Sequence, residues 1–242
     1  DKIIIPEKNQ RYFSEKVVYM PNSFMPFDNK RELSKQRFKR RDFSMSENSF
    51  VLAAFHRNFK ISIKEIKVWS SILREVSNAI IWISTTNQIA KENIIKSFKF
   101  HGVSASKVLF AERMNSSADH LARHSCADLF LDTFNYNGHS TAIDSLWAGL
   151  PVVALLGKSY AARVSASFLN TLKLNNLVAH TTDEYEQIVI QLANNPNKLK
   201  ALKAKLMQLK YTNPLFDSEN YTQDLERLYN GLIEKEKARN NK

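Results

Sequence analysis

Gly138, His139, Ser140 and Thr141 form an uninterrupted run of residues suited to anion binding. They follow an apolar run, FLDTF, and open a segment with helical spacing, STAIDSLWA. Glycine permits a close backbone approach, and the free N–H groups at a helix start attract phosphate. The hydroxyls and the imidazole add donors, and Asp144, about one turn further on, can accept two ribose hydroxyls. The spacing therefore indicates a phosphate and sugar site, although an ordinary helix cap would explain these residues equally well.

Short apolar segments alternate with helical ones along most of the chain, which places the Gly138 loop between a strand and a helix. Strands are predicted at 16–21, 50–55, 79–84, 107–112, 127–134, 151–156 and 176–180. Helices are predicted near 31–42 and at 62–76, 88–102, 116–125, 140–148 and 159–172, with three more helical segments after residue 180. This alternation predicts an α/β fold with a doubly wound parallel sheet, whose ligands bind beyond the carboxyl ends of the strands.

The composition is that of an ordinary globular protein with a strong basic excess. The 242 residues carry a net charge of +11, which favours anionic partners, and part of the excess lies in 30–43. We interpret that segment as a solvated face. The sequence has neither zinc-finger spacing nor the aromatic signature of an RNA-binding sheet, so nucleic-acid binding is not expected. The single cysteine, Cys126, excludes an internal disulfide and suits a reducing compartment such as the cytoplasm.

The hydropathy of the chain and its first residues indicate its cellular context and its origin. No apolar run reaches the roughly 18 residues typical of a membrane span, so none is expected. The first residues, DKIIIPEKNQ, lack an initiator methionine and signal-peptide architecture. We therefore expect a fragment or a processed chain.

The stretch from residue 128 to 169 resembles the donor-binding half of the O-linked N-acetylglucosamine transferases, glycosyltransferase family 41. The family pattern there is D-x-x-L-D-T-x-x-x-N-G-H-T-T-x-x-D-x-L-W-A-G-x-P-x-V, followed by A-S-R-V-A-x-S. Similar matches occur, in the same order as in the family, at YFSEKVVYMPNSF (12–24), FHRNFKI (55–61), ADHLARH (118–124) and NPLFDSENYTQDLERLY (213–229). The resemblance thus covers nearly the whole chain.

The resemblance implies the C-terminal half of a GT-B glycosyltransferase, a Rossmann-like domain that binds the nucleotide sugar. Segment 1–45, with the basic helix, would lead into the domain at 46–242 with its C-terminal helices. The N-terminal GT-B half and the tetratricopeptide (TPR) repeats of such a parent chain would lie outside this sequence. The family activity is transfer of N-acetylglucosamine from UDP-GlcNAc to Ser or Thr of an acceptor protein. The acceptor-side groups would then come from the other half.

The resemblance also assigns roles to the residues around the Gly138 loop. His139, Ser140 and Thr141 match the family residues that hold the donor diphosphate, and Asp144 matches the acid that binds the ribose. Lys60 matches a lysine that contacts the diphosphate and stabilises the leaving group. A fixed cation there lowers the barrier because negative charge builds on the diphosphate as the sugar bond breaks. By residue type alone, Lys60 would be a solvated loop lysine.

A second set of residues matches the nucleoside side of the family site. His120 matches a histidine near the uracil and ribose, with Arg123 beside it, although a helix-surface role would also suit it. The backbone around Met114 and Asn115 would read the uracil edge. Arg57 stands where the family has glutamine or asparagine, so an extra cation would strengthen diphosphate binding or indicate another nucleotide sugar.

Further departures from the family pattern leave the sugar open. Ser117 replaces a lysine that in some members touches the nucleotide, and Lys158 stands where an acid is usual. The alternatives are a related enzyme that uses GDP-fucose or a UDP-hexose, or makes an N-linkage, and a non-catalytic nucleotide-sugar-binding module. No metal and no other cofactor is expected, because GT-B enzymes use side chains and helix ends instead. We expect this fragment alone to bind nucleotide weakly and to catalyse little.

Overall fold

Six parallel strands form the centre of the protein in the computed structural model, which describes residues 1–241. The strands are β1 (Phe50–Ala54), β2 (Ala79–Ser84), β3 (Val108–Ala111), β4 (Leu129–Leu131), β5 (Val152–Leu155) and β6 (Val178–Ala179). Their order across the sheet is β3-β2-β1-β4-β5-β6, and each neighbouring pair is parallel. The chain therefore runs outward from β1 in one direction and returns to continue from β4 in the other. This is the doubly wound arrangement predicted from the alternating pattern.

Eight α-helices flank the sheet. They are α1 (Ile63–Glu75), α2 (Gln88–Phe100), α3 (Ser117–Ala122), α4 (Ser140–Trp147), α5 (Val164–Thr171), α6 (Thr182–Ala193), α7 (Pro196–Leu209) and α8 (Ser218–Asn240). Every residue of β1 and β4 is buried, as expected of strands covered on both faces. The largest fully buried side chains include Trp69, Trp82, Tyr185, Phe98, Phe130 and Phe168.

Local capping signals set several of the helix ends. The Ser62 hydroxyl accepts the Lys64 N–H, and the Glu65 carboxylate accepts the Ser62 N–H at 2.8 Å, which completes the predicted capping box of α1. Gly149, just beyond α4, has a φ of +82°, as a left-handed helix stop requires. These ends were predictable because each depends on residues within one turn of the chain.

Two predicted elements in the N-terminal segment are wrong. Residues 16–20 are not paired with any strand in the described part of the chain, and Val18 is exposed. The basic segment near 31–42 is irregular except for a 3₁₀ turn at Arg40–Phe43. Outside that turn its backbone groups form no helical ladder, and the Ser34 N–H donates instead to the Ala118 carbonyl at 3.1 Å. Tertiary hydrogen bonds thus replace the helical ladder.

Smaller differences concern element lengths. The helix predicted at 159–172 is divided into a 3₁₀ turn at Tyr160–Ala162 and α5, and the last two strand predictions shorten to four and two residues. Strand 127–134 shortens to β4, because the chain leaves the sheet at Asp132 to form the loop that precedes α4.

The N-terminal segment packs onto the domain that follows it. Ile4, Phe27 and Met45 are buried in the same core as the sheet. Arg40 donates to the Asp128 carboxylate at 2.7 Å and to three backbone carbonyls. These bonds hold the segment next to the residues that precede β1 and β4. None of the helices within residues 1–241 is both long and apolar enough to cross a membrane. Lys242, the last residue of the predicted domain 46–242, lies outside the described residues.

Candidate functional site

The sheet has its topological switch point between β1 and β4, and a cleft opens there at the carboxyl ends of the strands. The cleft has a volume of about 750 Å³. Its walls come from the segments that follow β1, β2 and β3, and from the starts of α3 and α4. Ligands of doubly wound sheets bind in this position. Of the residues predicted from the sequence, the cleft is lined by Arg57, Met114, Asn115, His120, Arg123 and Thr141.

The loop between β4 and α4 is held by the buried carboxylate of Asp132. One oxygen, Oδ1, accepts the N–H groups of Thr133 at 2.9 Å and Gly138 at 2.7 Å. The Thr133 hydroxyl in turn donates to the Tyr136 carbonyl at 2.6 Å. Asp132 therefore closes the loop on itself and fixes the backbone that leads into α4. Burial raises the pKa of Asp132 to about 7, against the opposing effects of Ser165, the two N–H groups and the Lys60 cation.

Asn137 and Glu65 tie this loop to the rest of the domain. The Asn137 side chain donates to the Thr133 carbonyl at 2.7 Å, and its backbone N–H donates to the Ala161 carbonyl at 2.8 Å. Glu65, fully buried, accepts the Phe134 N–H at 2.7 Å with the carboxylate that also caps α1. The loop is thus rigid before any ligand arrives.

His139 lies at the start of α4 in a strained backbone conformation, with φ 38° and ψ −111°. Non-glycine residues occupy such conformations at a cost of about 1–3 kcal/mol and mark functional loops more often than ordinary turns. Gly138 is required beside it, because an added Cβ would lie 2.8 Å from the Ala142 Cβ and 2.9 Å from the Ala142 nitrogen. The Thr141 hydroxyl donates to the Gly138 carbonyl at 2.6 Å, and Ser140 is exposed at the helix start. The alternative interpretation, an ordinary helix cap by Ser140, is not observed, because α4 begins after His139 and has no side-chain cap.

Lys60 reaches this loop from the segment after β1. Its ammonium donates to the Asn137 carbonyl at 2.8 Å and lies over the Tyr136 ring. Burial lowers the pKa of Lys60, with the Arg57 cation acting in the same direction and Asp132 opposing it. Burial and the Lys60 cation likewise lower the pKa of His139, and the Ala161 carbonyl opposes them. The structure thus brings Lys60 and His139, which are 79 positions apart in the sequence, to the same end of α4.

The opposite wall of the cleft contains His120, Arg123, Met114 and Asn115. Burial, Arg123 and Arg31 together lower the pKa of His120 to about 4, so its ring is neutral at pH 7. The Arg123 side chain is buried, donates to the Glu112 carbonyl at 2.6 Å and has its guanidinium carbon 4.5 Å from the centre of the Phe55 ring. Arg123 is therefore part of the cleft wall, whereas Met114 and Asn115 form a more exposed edge.

Asp144 lies in α4 and is paired with Arg31, a residue of the N-terminal segment that the sequence did not predict at the site. Burial raises the pKa of Asp144, and the Arg31 guanidinium lowers it. The Trp147 indole donates to the Arg31 carbonyl at 3.1 Å, so both ends of this residue are held. One carboxylate oxygen of Asp144, Oδ1, is thus engaged by a cation.

The sequence analysis assigned no site role to Tyr136, Asn137, Asp132 or Arg31. Asp132 carried a recognisable signal, an acid immediately after a buried strand at the switch point. Arg31 carried none, because 113 positions separate it from Asp144 and nothing local predicts their contact. Among residues 1–241, no three His, Cys, Asp or Glu side chains are grouped so as to hold a metal ion. The absence of a cofactor remains an expectation.

A parallel sheet in this order, with a cleft at its switch point, defines a Rossmann-like α/β domain and confirms the predicted fold. The chain belongs to glycosyl transferase family 41, whose sequence model matches residues 32–225. The resemblance drawn from the motifs is therefore confirmed.

Named relatives agree with this assignment. The chain is 29% identical over 235 residues to the Arabidopsis thaliana probable UDP-N-acetylglucosamine–peptide N-acetylglucosaminyltransferase SEC, covering 95% of this chain and 24% of that protein. It is 31% identical over 189 residues to the corresponding Caenorhabditis elegans transferase, covering 78% of this chain and 16% of that protein. The chain thus spans about a quarter or less of the length of these curated relatives.

A solved structure supports the fold independently. An O-GlcNAc transferase mutant of Thermobaculum terrenum superposes with a TM-score of 0.82 at 24% identity, covering 95% of this chain and 43% of that one. The match extends over almost the entire chain described here and less than half of the other.

Proposed function

We propose that this chain is the donor-binding half of a protein O-glycosyltransferase that transfers N-acetylglucosamine from UDP-GlcNAc to Ser or Thr of proteins. The observation that carries the proposal is the approach of Lys60 to the loop that leads through His139 into α4, beside the switch-point cleft that Thr141 of α4 lines. A cation, helix-end N–H groups and hydroxyls at one place form a site for a diphosphate. The names of the family 41 relatives give UDP-N-acetylglucosamine as their donor and a peptide as their acceptor, which supports the proposed donor and the transfer to protein.

In the proposed reaction, the acceptor hydroxyl oxygen bonds to the anomeric carbon of the sugar, with inversion at that carbon. The bond from that carbon to the diphosphate oxygen breaks, and its electron pair leaves with UDP. A base from the other half of the cleft takes the hydroxyl proton. Lys60 and the start of α4, with His139, Ser140 and Thr141, stabilise the charge that grows on the departing diphosphate. Their rigidity matters, because groups already in place need no reorganisation as the bond breaks.

The nucleoside would lie along the opposite wall. The neutral His120 ring offers a face and a hydrogen-bonding nitrogen to the uracil and ribose, and the backbone near Met114 and Asn115 would contact the uracil edge. Asp144 would accept ribose hydroxyls. Arg57 lies exposed at the same cleft, where it adds positive charge facing the diphosphate. No metal is needed in this scheme, since Lys60 and α4 supply the positive charge.

The rest of the machinery would belong to the parent chain. We propose that the parent chain carries an N-terminal GT-B half, which closes the cleft and supplies the acceptor-side groups, and TPR repeats. The single buried cysteine is consistent with a cytoplasmic protein, in a reducing compartment. With half the cleft missing, this chain alone would bind the donor weakly and turn over little.

Calorimetric titration with UDP, GDP and UDP-GlcNAc tests the donor site, on this chain, on the full-length parent and on their Lys60→Ala and His139→Ala variants. Binding of UDP but not GDP, weakened in both variants, is the expected result. Preference for GDP would favour a GDP-sugar donor instead. Binding by neither this chain nor the parent would mean that the fold is kept without the donor function.

Transfer to protein is tested with the parent, UDP-GlcNAc and acceptor peptides. Peptides that differ only in Ser, Thr or Asn at the acceptor position separate O-linkage from N-linkage. Labelling of the Ser and Thr peptides alone is expected. Binding of UDP without transfer to any peptide would favour a non-catalytic nucleotide-sugar-binding module.

A further inference from the structure

Arg31 connects the N-terminal segment to the candidate nucleotide site. Its guanidinium pairs with the Asp144 carboxylate, and its carbonyl accepts the Trp147 indole N–H at 3.1 Å. Three residues later the Ser34 N–H donates to the Ala118 carbonyl at 3.1 Å. The segment around Arg31 is therefore held by polar contacts to both α3 and α4.

Arg31 also lines a second cleft next to the nucleoside side of the site. This cleft, of about 1180 Å³, is bordered by Arg31 together with Ala118 of α3 and Trp147 of α4. The same two helices border the switch-point cleft through His120 and Thr141. The ion pair of Arg31 with Asp144 thus joins the N-terminal segment to a helix that borders both clefts.

Asp144 is buried, and a buried carboxylate is costly unless it is paired and hydrogen-bonded. Arg31 supplies that pairing to one carboxylate oxygen, Oδ1. The second oxygen is thereby held in one orientation, and the Arg31 cation favours the charged carboxylate, which is the state that accepts hydrogen bonds from hydroxyl groups. Without Arg31, burial would favour the protonated acid and leave its rotamer free.

We propose that Arg31 is a positioning residue for ribose recognition, acting by holding Asp144 ionised and oriented toward the 2′ and 3′ hydroxyls of the nucleotide. The inference rests on the proposed function, because it needs a ribonucleotide in the cleft. It assigns a role in donor recognition to the N-terminal segment, which by sequence alone was only a basic stretch leading into the domain.

The test compares UDP with 2′-deoxy-UDP and 3′-deoxy-UDP by calorimetry, on this chain and on the full-length parent. The unaltered protein should prefer UDP by roughly tenfold or more, as loss of a hydrogen bond to a charged group implies. In Arg31→Met this preference should fall below about threefold. A merely structural role of Arg31 would weaken the three nucleotides equally and leave the preference intact.

Arg37→Met is the matched control, because Arg37 lies in the same segment, carries the same charge and is exposed. It should keep the full preference for UDP. Arg31→Lys keeps the charge and should retain part of the preference. Thermal unfolding of each variant checks that the fold is intact.

The double variant Arg31→Met/Asp144→Asn keeps the proposal testable if Arg31→Met unfolds, since it removes both charges of the buried pair. It should discriminate ribose no worse than Asp144→Asn alone. Full ribose preference in Arg31→Met, or a further loss on adding Arg31→Met to Asp144→Asn, would overturn the inference while leaving the proposed function standing. Failure of both the unaltered chain and the parent to bind UDP would overturn both.

Discussion

The ammonium of Lys60 lies 4.0 Å from the centre of the Tyr136 ring. His139 stacks on the same ring, with the two ring centres 4.9 Å apart and the planes 23° from parallel. Tyr136 is 44% exposed, so the ring stands at the open side of the loop, between the two groups that the diphosphate would contact. A single aromatic side chain therefore contacts both the Lys60 ammonium and the His139 imidazole and positions them near the start of α4.

Replacing the Tyr136 ring should loosen Lys60 and weaken UDP binding. A cation over an aromatic face contributes about 0.5–2 kcal/mol, so Tyr136→Leu should lower the affinity roughly two- to thirtyfold by calorimetry. Tyr136→Phe keeps the ring and should stay within about twofold of the unaltered protein. Equal losses in the two variants would show that the hydroxyl, and not the ring face, matters.

Lys60→Met should cost more, because it removes the charge itself. Hydrogen bonds to charged groups contribute about 1.5–3 kcal/mol, which corresponds to a roughly 10- to 100-fold weaker UDP affinity. Lys64→Met is the control, since Lys64 is an exposed lysine in the first turn of α1. Comparable losses from the two substitutions would contradict a specific role for Lys60 and indicate a general effect of net charge.

Gly138→Ala should disrupt the loop, because the new methyl would lie 2.8 Å from the Ala142 Cβ. Overpacking of this kind costs about 1–3 kcal/mol, measurable by urea denaturation, and UDP binding should fall with it. Gly231→Ala provides the opposite case. Nothing lies within 4 Å of its added Cβ in α8, and alanine is a better helix former, so stability should rise by up to about 1 kcal/mol. If the Gly138→Ala variant were as stable as the unaltered protein, the loop would be able to shift to accept the methyl group.

The stability of the protein should fall as the pH falls from about 6.5 toward 4. Burial lowers the pKa of His56 and His120 to about 4 and that of His124 to about 3. As the pH falls, these rings bind protons at a higher pH in the unfolded chain than in the folded one, so acid favours unfolding. Asp132 and Asp144 oppose this, because burial raises their pKa and the folded state keeps their protons longer as the pH rises.

The variant His124→Asn isolates one contribution to this pH dependence. The asparagine amide can still donate to the His120 carbonyl, which His124 Nδ1 contacts at 2.8 Å, but it cannot titrate. Urea denaturation at a series of pH values should give a smaller loss of stability between pH 6.5 and 4 than in the unaltered protein. An unchanged slope would mean that His124 is not held neutral by burial.

The sequence by itself determined the order of elements and the place of the loop before α4, the candidate anion site. Apolar runs and helical spacing are local properties, and so are the Ser62 and Glu65 cap and the stop at Gly149. The rule that parallel strands end at one edge then brings the segments after β1 and β4 together. This is why the meeting of Lys60 with His139 could be anticipated although no local pattern joins them.

Only the tertiary structure decided what surrounds these residues. The predicted basic helix near 31–42 is absent because its backbone and side chains bond to α3, α4 and the sheet, and these long-range bonds outweigh a helical propensity of a few tenths of a kcal/mol per residue. The same long-range packing brings Arg31 to Asp144 and encloses Asp132 beneath the loop. Ion pairs and burial depend on distance in space, so a linear sequence cannot specify them until the sheet has brought the segments together.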